Sequence, residues 1–258
     1  MNSRSSSAGW GSVAAVIVAL SATAGCHDAD SRHVLNPEWN VIPPGPSPVV
    51  EETRPVSGVS GVILSGVGQV SVRQGGAESL HIRTEERILP FIKTEMRGGQ
   101  LVIGFQDGTS YQGEASVIQF ELTAADLNRA ELDGLGLISA SNIDTDHLSL
   151  VHTGIGTIDI LGLAAHRVDA TRSGVGAINV SGSVQRQSVT LGGVGNYDAR
   201  QLDSAVAEVT IQSGGSATVR VSDRLDVRIN GAGSVYYVGN PVVQRTGHGS
   251  GSVVPMGG

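Results

Sequence analysis

Apolar and polar residues alternate with a period of two in many short segments, and these segments recur at nearly constant spacing. "TGIGTIDILG" at 153–162 is followed twenty residues later by "SGVGAINVSG" at 173–182. The second glycine of the motif recurs every 18 to 20 residues, at Gly136, Gly156, Gly176, Gly195, Gly215, Gly233 and Gly251. Two places after these glycines come Ile138, Ile158, Ile178, Tyr197, Ala217, Val235 and Val253. Each alternating triplet predicts a strand with one face buried.

Repetition at this period is typical of a solenoid, in which coils stack because no single coil buries its apolar face alone. The sequence therefore predicts an all-β protein, a right-handed parallel β-helix with about 18–21 residues per coil. Glycines are expected at its corners, where positive φ or the next coil excludes a Cβ. The predicted structural glycines are Gly134, Gly136, Gly154, Gly156, Gly174, Gly176, Gly193, Gly195, Gly231 and Gly233.

An earlier copy of the motif, "SGVGQVSV" at 65–72, puts Gly68, Val70 and Val72 in the same slots. Strands are also predicted at 79–83, 100–105 and 116–122. The 68 residues from Gly68 to Gly136 predict about three coils between them, within one domain at 57–258. The C-terminal "GHGSGSVVPMGG" shows no obvious polar cap, which leaves end-to-end pairing open.

The N-terminal segment resembles an export signal. A short apolar run precedes "TAGC" at 23–26, which resembles the lipobox of bacterial lipoproteins, so we expect a signal peptide at 1–25 and lipidation of Cys26. The alternative is an ordinary signal peptide with a free thiol. Most of the prolines fall in 26–56, which predicts a lipid-anchored, semi-stiff linker. His27, where an aspartate would favour retention, points by resemblance to the outer membrane of a Gram-negative bacterium.

Composition excludes some functions. The net charge is −7 and no basic patch is visible, so nucleic acid is not an expected partner. The single cysteine forms no intrachain disulfide. None of the glycine pairs continues as a nucleotide-binding loop, and no serine-nucleophile or zinc motif is present. No cofactor is expected unless the acidic column described below binds Ca²⁺.

The order of these motifs resembles a known family. "VSGVILSGVGQVSVRQG", "GGQLVIGF", the serial Gly-x-Gly repeats and "INGAGSVYYVGNP" are together similar to the putative auto-transporter adhesin head GIN domain. The resemblance implies a β-helix in an envelope protein, implies adhesion by its name, and brings no catalytic residues. "SGGS" at 213–216 departs from the motif because Ser213 replaces the first glycine.

Two polar clusters are candidate sites. Asp159, Asn179 and Asp198 should stack on one outer face, where their oxygens could coordinate Ca²⁺ or bind sugar hydroxyls, or simply form a solvated surface. His152 and Arg172 both precede a first glycine by two places. Either the wall turns outward there, or the pair forms a polar notch that could bind an anion.

The leading hypothesis is a non-enzymatic envelope lipoprotein that presents a solenoid surface to a glycan or protein ligand. A second hypothesis is a polysaccharide hydrolase or lyase that uses Asp144 and Asp146, expected on a loop, or the acidic column. A third is a structural or stress-linked periplasmic module with a protein partner. Fold analogy alone does not assign an activity, and Asp-x-Asp in a turn usually bonds its own backbone.

Overall fold

The computed structural model describes residues 40–42, 45–111 and 118–257. This part of the chain is all-β, with a single 3-10 turn at Leu89–Phe91 and no α-helix. The strands are β1 Asn40–Ile42, β2 Val49–Arg54, β3 Gly61–Leu64, β4 Val67–Gln74, β5 Ser79–Glu85, β6 Ile92–Arg97, β7 Gln100–Phe105, β8 Thr109–Tyr111, β9 Ile118–Ala124, β10 Arg129–Leu132, β11 Leu135–Ser141, β12 Asp144–His152, β13 Ile155–Arg172, β14 Val175–Leu191, β15 Val194–Ile211, β16 Ser216–Ile229, β17 Val235–Val238, β18 Val242–Thr246 and β19 Val253–Met256.

Parallel stacking of the coils follows the register that the repeat predicts. Gly136 pairs with Gly156, Gly156 with Gly176, and Gly176 with Gly195. The apolar position two places later forms an inner column in which each residue pairs with the next: Ile138, Ile158, Ile178, Tyr197, Ala217, Val235 and Val253. The β-solenoid prediction is confirmed.

Aliphatic side chains fill the interior of the coils. Ile138, Ile158 and Ile178 are fully buried, and burying one such side chain contributes about 1.5–3 kcal/mol. Since a coil shares each apolar column with the coils on both sides, stability comes from the stack rather than from any one turn.

Glycine is required at the corners for two reasons. A Cβ on Gly156 would lie 1.8 Å from the carbonyl oxygen of Gly136, far inside van der Waals contact. The φ angle of Gly156 is also +140°, which other residues rarely adopt. The same close approach recurs at Gly136 and Gly176, as the sequence predicts.

The N-terminal strands do not form three coils between Gly68 and Gly136, and that expectation is wrong. β4 pairs directly with β11, so Gly68 lies beside Gly136. The intervening chain passes to the other side of β3 and β4, where β7 pairs with β3 and β9 pairs with β4. Antiparallel strands then extend this end of the solenoid, with β6 on β7 and β5 on β9.

Part of the segment assigned to the linker belongs to the sheet. β2 pairs antiparallel with β5 through six residue pairs, from Val49 with Glu85 to Arg54 with Leu80. Arg54 also donates hydrogen bonds to the Ile92 carbonyl and the Thr94 hydroxyl. The domain boundary predicted at 56/57 therefore excludes a strand that belongs to the sheet. The alternating segment "VVEETR" forms this strand and adds it to the N-terminal end of the solenoid.

The C-terminal end carries polar protection that sequence analysis missed. Arg245 continues an inner column beyond Val227, and its guanidinium donates to the carbonyls of Gly249 and Gly251. Pro255, which has no N–H, lies in the last strand. A charged residue and a proline on an edge strand both oppose further strand pairing.

Candidate functional site

The acidic column is stacked as predicted. Asp159 pairs in register with Asn179, and Asn179 with Asp198. The Asn179 amide donates to the Asp159 carboxylate over 2.6 Å, and Asp198 forms an ion pair with Arg200, with a 2.9 Å N···O distance. Among the described residues, no group of three or more His, Cys, Asp or Glu side chains is arranged to hold a metal ion. Calcium binding by this column stays a prediction.

His152 and Arg172 point into the solenoid, so neither an outward wall nor an open notch matches the structure. They pair in register within an inner column that continues through Leu191 and Ile211, and both side chains are buried. His152 Nε2 lies 2.9 Å from the Gly156 carbonyl oxygen, and Arg172 donates to the Gly195 carbonyl over 2.8 Å. The two side chains therefore brace glycine corners from inside.

Burial lowers the pKa of the Arg172 guanidinium, because the protein interior disfavours the charged form. The Nε atom of Arg172 and the Nδ1 atom of His152 are buried without a hydrogen-bond partner. Arg172 also lies against the "SGGS" corner. A Cβ on Gly215 would lie 2.5 Å from the Gly195 backbone carbonyl oxygen and would also meet the Arg172 guanidinium, so glycine is kept there although the corner departs from the motif.

Asp144 and Asp146 lie at the beginning of β12 and not on a loop, which corrects the expectation. Both side chains are exposed. The backbone N–H and carbonyl of Asp144 are bound by the side-chain amide of Gln74, which fixes the strand to the neighbouring coil.

A row of aliphatic side chains, four of them exposed and Leu135 half-buried, runs along one corner of the solenoid. It consists of the middle residue of successive Gly-x-Gly motifs, and we call it the aliphatic ridge: Val67, Leu135, Ile155, Val175 and Val194. Each member pairs in register with the next, so at about 4.8 Å per coil the ridge extends over roughly 19 Å. Ile155, Val175 and Val194 are 55%, 50% and 67% exposed.

These side chains stand at the corners between two rows of glycine and outside the buried core. They contact one another along the row but contribute little to the interior. The sequence position equivalent to Val194 in the next corner is Gly214, where the ridge ends. The spacing of the glycines does not predict the ridge. Its sequence signal is the aliphatic residue between the two glycines in five motifs.

The surroundings of the ridge are polar and almost uncharged. Thr153 and Ser173 precede two of its glycine pairs, and Thr157 follows one. Asp133 is the nearby carboxylate, and it accepts a hydrogen bond from the Thr153 hydroxyl over 2.8 Å. An exposed apolar row with a polar rim is typical of a protein interaction site.

Cys26 and the signal and lipobox residues lie outside the described residues. Within the described ranges, no helix is long and apolar enough to cross a membrane.

The fold and its repeated corners define the class of protein. The family described as "putative auto-transporter adhesin, head GIN domain" matches residues 59–241, and the chain belongs to this family. A search of curated proteins found no match. The family indicates a surface or exported protein with an adhesion or binding role, and its description is that of an adhesin and not of an enzyme.

Solved structures share the fold. A putative adhesin from Bacteroides fragilis is 22% identical, with a TM-score of 0.78 over 81% of this chain and 97% of that chain. A putative lipid binding protein from Parabacteroides distasonis is 19% identical, with a TM-score of 0.62 over 81% of this chain and 96% of that one. A putative adhesin from Parabacteroides merdae is 16% identical, with a TM-score of 0.59 over the same shares.

Proposed function

We propose that this chain is a non-enzymatic adhesive lipoprotein of the cell envelope, anchored through Cys26 in the outer membrane of a Gram-negative bacterium, and that its aliphatic ridge binds a protein partner. The ridge is the observation that carries the proposal. Exposed aliphatic side chains lower solubility, and their removal from water on binding would contribute about 25 cal/mol per Å².

The length and shape of the ridge suit a groove on a partner protein. Each side chain projects alone from a convex corner, and the rim carries few charges that a partner would have to desolvate. A saccharide is a poorer match for this surface, because aliphatic side chains offer no hydrogen bonds to sugar hydroxyls.

The test compares bacteria that display the full chain with bacteria that display Ile155→Ser/Val175→Ser/Val194→Ser. Adherent cells are counted on surfaces coated with collagen, fibronectin or laminin. We expect the triple variant to lose at least tenfold in adhesion to whichever protein the parent binds. Leu161→Ser is the matched control, since Leu161 is 58% exposed but lies outside the ridge. Equal adhesion by the triple variant, or no adhesion by the parent, would reject the ridge as a protein-binding surface.

Lipid anchoring is tested separately. Cells grown with an alkyne-labelled fatty acid should label the parent chain, whereas Cys26→Ala should be unlabelled and should leave the membrane fraction. A membrane-bound, unlabelled parent chain would contradict the anchor without bearing on the ridge.

A further inference from the structure

A shallow cleft lined by both polar and apolar side chains lies on a different flank of the solenoid from the ridge. It has a volume of about 600 Å³ and is open along its outer side. Small-molecule sites typically occupy about 300–1,000 Å³. The polar residues that line the cleft come from four successive coils, and they are Ser183, Asp203, Ser204, Arg220, Ser222 and Asn240.

A change in coil length creates this cleft. Between β15 and β16 the pairing jumps from Ala199 with Val219 to Asp203 with Arg220, so residues 200–202 have no counterpart in the next coil. A second irregularity follows between Ser204 and Val206, where the next coil has one extra residue, so that coil is two residues shorter in all. The residues that line the cleft lie on both sides of this mismatch.

The floor of the cleft is fixed by a buried chain of hydrogen bonds. The Tyr197 hydroxyl donates to Gln187 Oε1, and Gln187 Nε2 donates to the Ser204 hydroxyl over 2.8 Å. Ser204 in turn donates to the backbone carbonyl of Arg220 over 2.7 Å. Because all three side chains are buried, this chain holds Ser204 and the Arg220 backbone rigidly.

The rim combines hydrogen-bond donors and acceptors with a balanced charge. Arg220 Nε donates to the Arg200 carbonyl over 2.9 Å and lies 3.6 Å from the Asp203 carboxylate. The Asp203 side chain is 75% exposed, so its carboxylate faces solvent. The terminal nitrogens of the Arg220 guanidinium have no hydrogen-bond partner among the described residues, which leaves them available to a ligand.

We propose that this cleft binds a neutral polysaccharide segment. Sugar hydroxyls both donate and accept, and the cleft offers them a carboxylate, a guanidinium, an amide and the hydroxyls of Ser183 and Ser222. The single arginine is balanced by Asp203, which disfavours phosphate or nucleic acid. Because the cleft is open, it suits internal units of a chain. No aromatic ring lines it, so binding by one sugar unit should be weak.

The experiment places the full chain, in detergent, on an array of neutral oligosaccharides of one to eight units derived from glucan, mannan and chitin. We expect binding to at least one series, increasing at least tenfold from the monosaccharide to the tetrasaccharide. Asp203→Ala and Arg220→Met should each reduce the signal at least tenfold. Binding to none of the three series, or undiminished binding by both variants, would overturn the proposal.

Matched controls separate this site from the rest of the surface. Arg167 and Asp169 form a similar exposed ion pair on another flank, so Asp169→Ala and Arg167→Met should bind the array as the parent does. The ridge triple variant should also bind normally. Saccharide binding and adhesion to proteins can therefore fail independently.

Discussion

The regular coils and the N-terminal end of the same solenoid are built in different ways. From β12 to β16, a strand's neighbour in space is the next or the previous repeat in sequence, about twenty residues away. At the N-terminal end, β4 lies between β9 and β11, so Gln69 pairs with both Gln119 and Leu137. The first region is a linear array, whereas the second is a fold-back that ends the array with antiparallel strands.

This difference shows how the two ends of the solenoid avoid open-ended stacking. A parallel coil presents unpaired N–H and carbonyl groups to any further coil. At the N-terminal end, β5, β6 and β2 replace parallel neighbours with antiparallel ones. At the C-terminal end, the same need is met by Arg245 and Pro255 within the last coil. The regular region therefore depends on identical corners, whereas the N-terminal end depends on antiparallel strands and the C-terminal end on individual side chains.

The largest expected effect is at a corner of the regular coils. Gly156→Ala forces a Cβ against the Gly136 carbonyl at a positive φ, and we expect the free energy of unfolding to fall by roughly 3–5 kcal/mol. Gly76→Ala in the N-terminal region is the matched control, since a Cβ there would meet no atom within 4 Å. Urea unfolding of the full chain in a Cys26→Ala background measures both. Equal losses at the two positions would mean that corner geometry does not limit stability.

The sequence predicts the regular coils better than it predicts the N-terminal end of the solenoid. The spacing of the glycines predicts the register of Gly136, Gly156 and Gly176, because each repeat forms one coil and successive coils stack directly on each other. The same motif put Gly68, Val70 and Val72 in the slots of Gly136, Ile138 and Ala140, but it predicted about three coils between the two sets, whereas the structure pairs them directly. The motif does not predict the path of the chain between Gly68 and Gly136. Its spacing does not indicate whether the strands after β4 add to the side that β11 occupies or to the opposite side of β4.

The candidate surfaces were less predictable for a related reason. Stacking of Asp159 on Asn179 follows from the repeat, but whether His152 and Arg172 face inward depends on which side of the strand is buried. Their polar character predicts an outer position. In the structure both side chains are buried, because hydrogen bonds to glycine carbonyls compensate for the loss of water. The cleft arises from a difference of only two residues in coil length, which the sequence shows as spacing but not as a cavity.

A smaller effect is expected at Arg172, which tests what the polar pair contributes inside the regular coils. Arg172→Ala leaves a cavity beside Leu191, and we expect a loss of about 2–4 kcal/mol in the free energy of unfolding. Arg172→Met fills the space without a charge that burial disfavours, so we expect stability within about 1 kcal/mol of the parent. Arg167→Met, which changes an exposed ion pair, controls for loss of charge. If Arg172→Met lowers the free energy of unfolding as much as Arg172→Ala does, the hydrogen bonds to the corner carbonyls contribute more to stability than the volume of the side chain.

The smallest effect is expected in the N-terminal region, and it depends on pH. The Glu78 carboxylate accepts hydrogen bonds from the backbone N–H groups of Val59, Gly58 and Ala125. It thereby connects the loop before β3 to the loop after β9. Chiefly through the Val59 bond, these donors hold the pKa of Glu78 below its ordinary value of 4.5.

Because the folded-state pKa of Glu78 is the lower one, its stabilisation is fully present above pH 4.5 and is lost as the pH falls through that lower pKa. Glu78→Gln should remove this dependence, so the variant should lose less thermal stability between about pH 7 and pH 3 than the parent. Glu121→Gln, an exposed carboxylate on β9, should keep the parent's dependence. Amide hydrogen exchange at Val59 and Ala125 provides the local measurement. Acid-induced exchange should increase there before it increases at Ile158, and simultaneous opening would mean that the N-terminal end and the regular coils unfold as one unit.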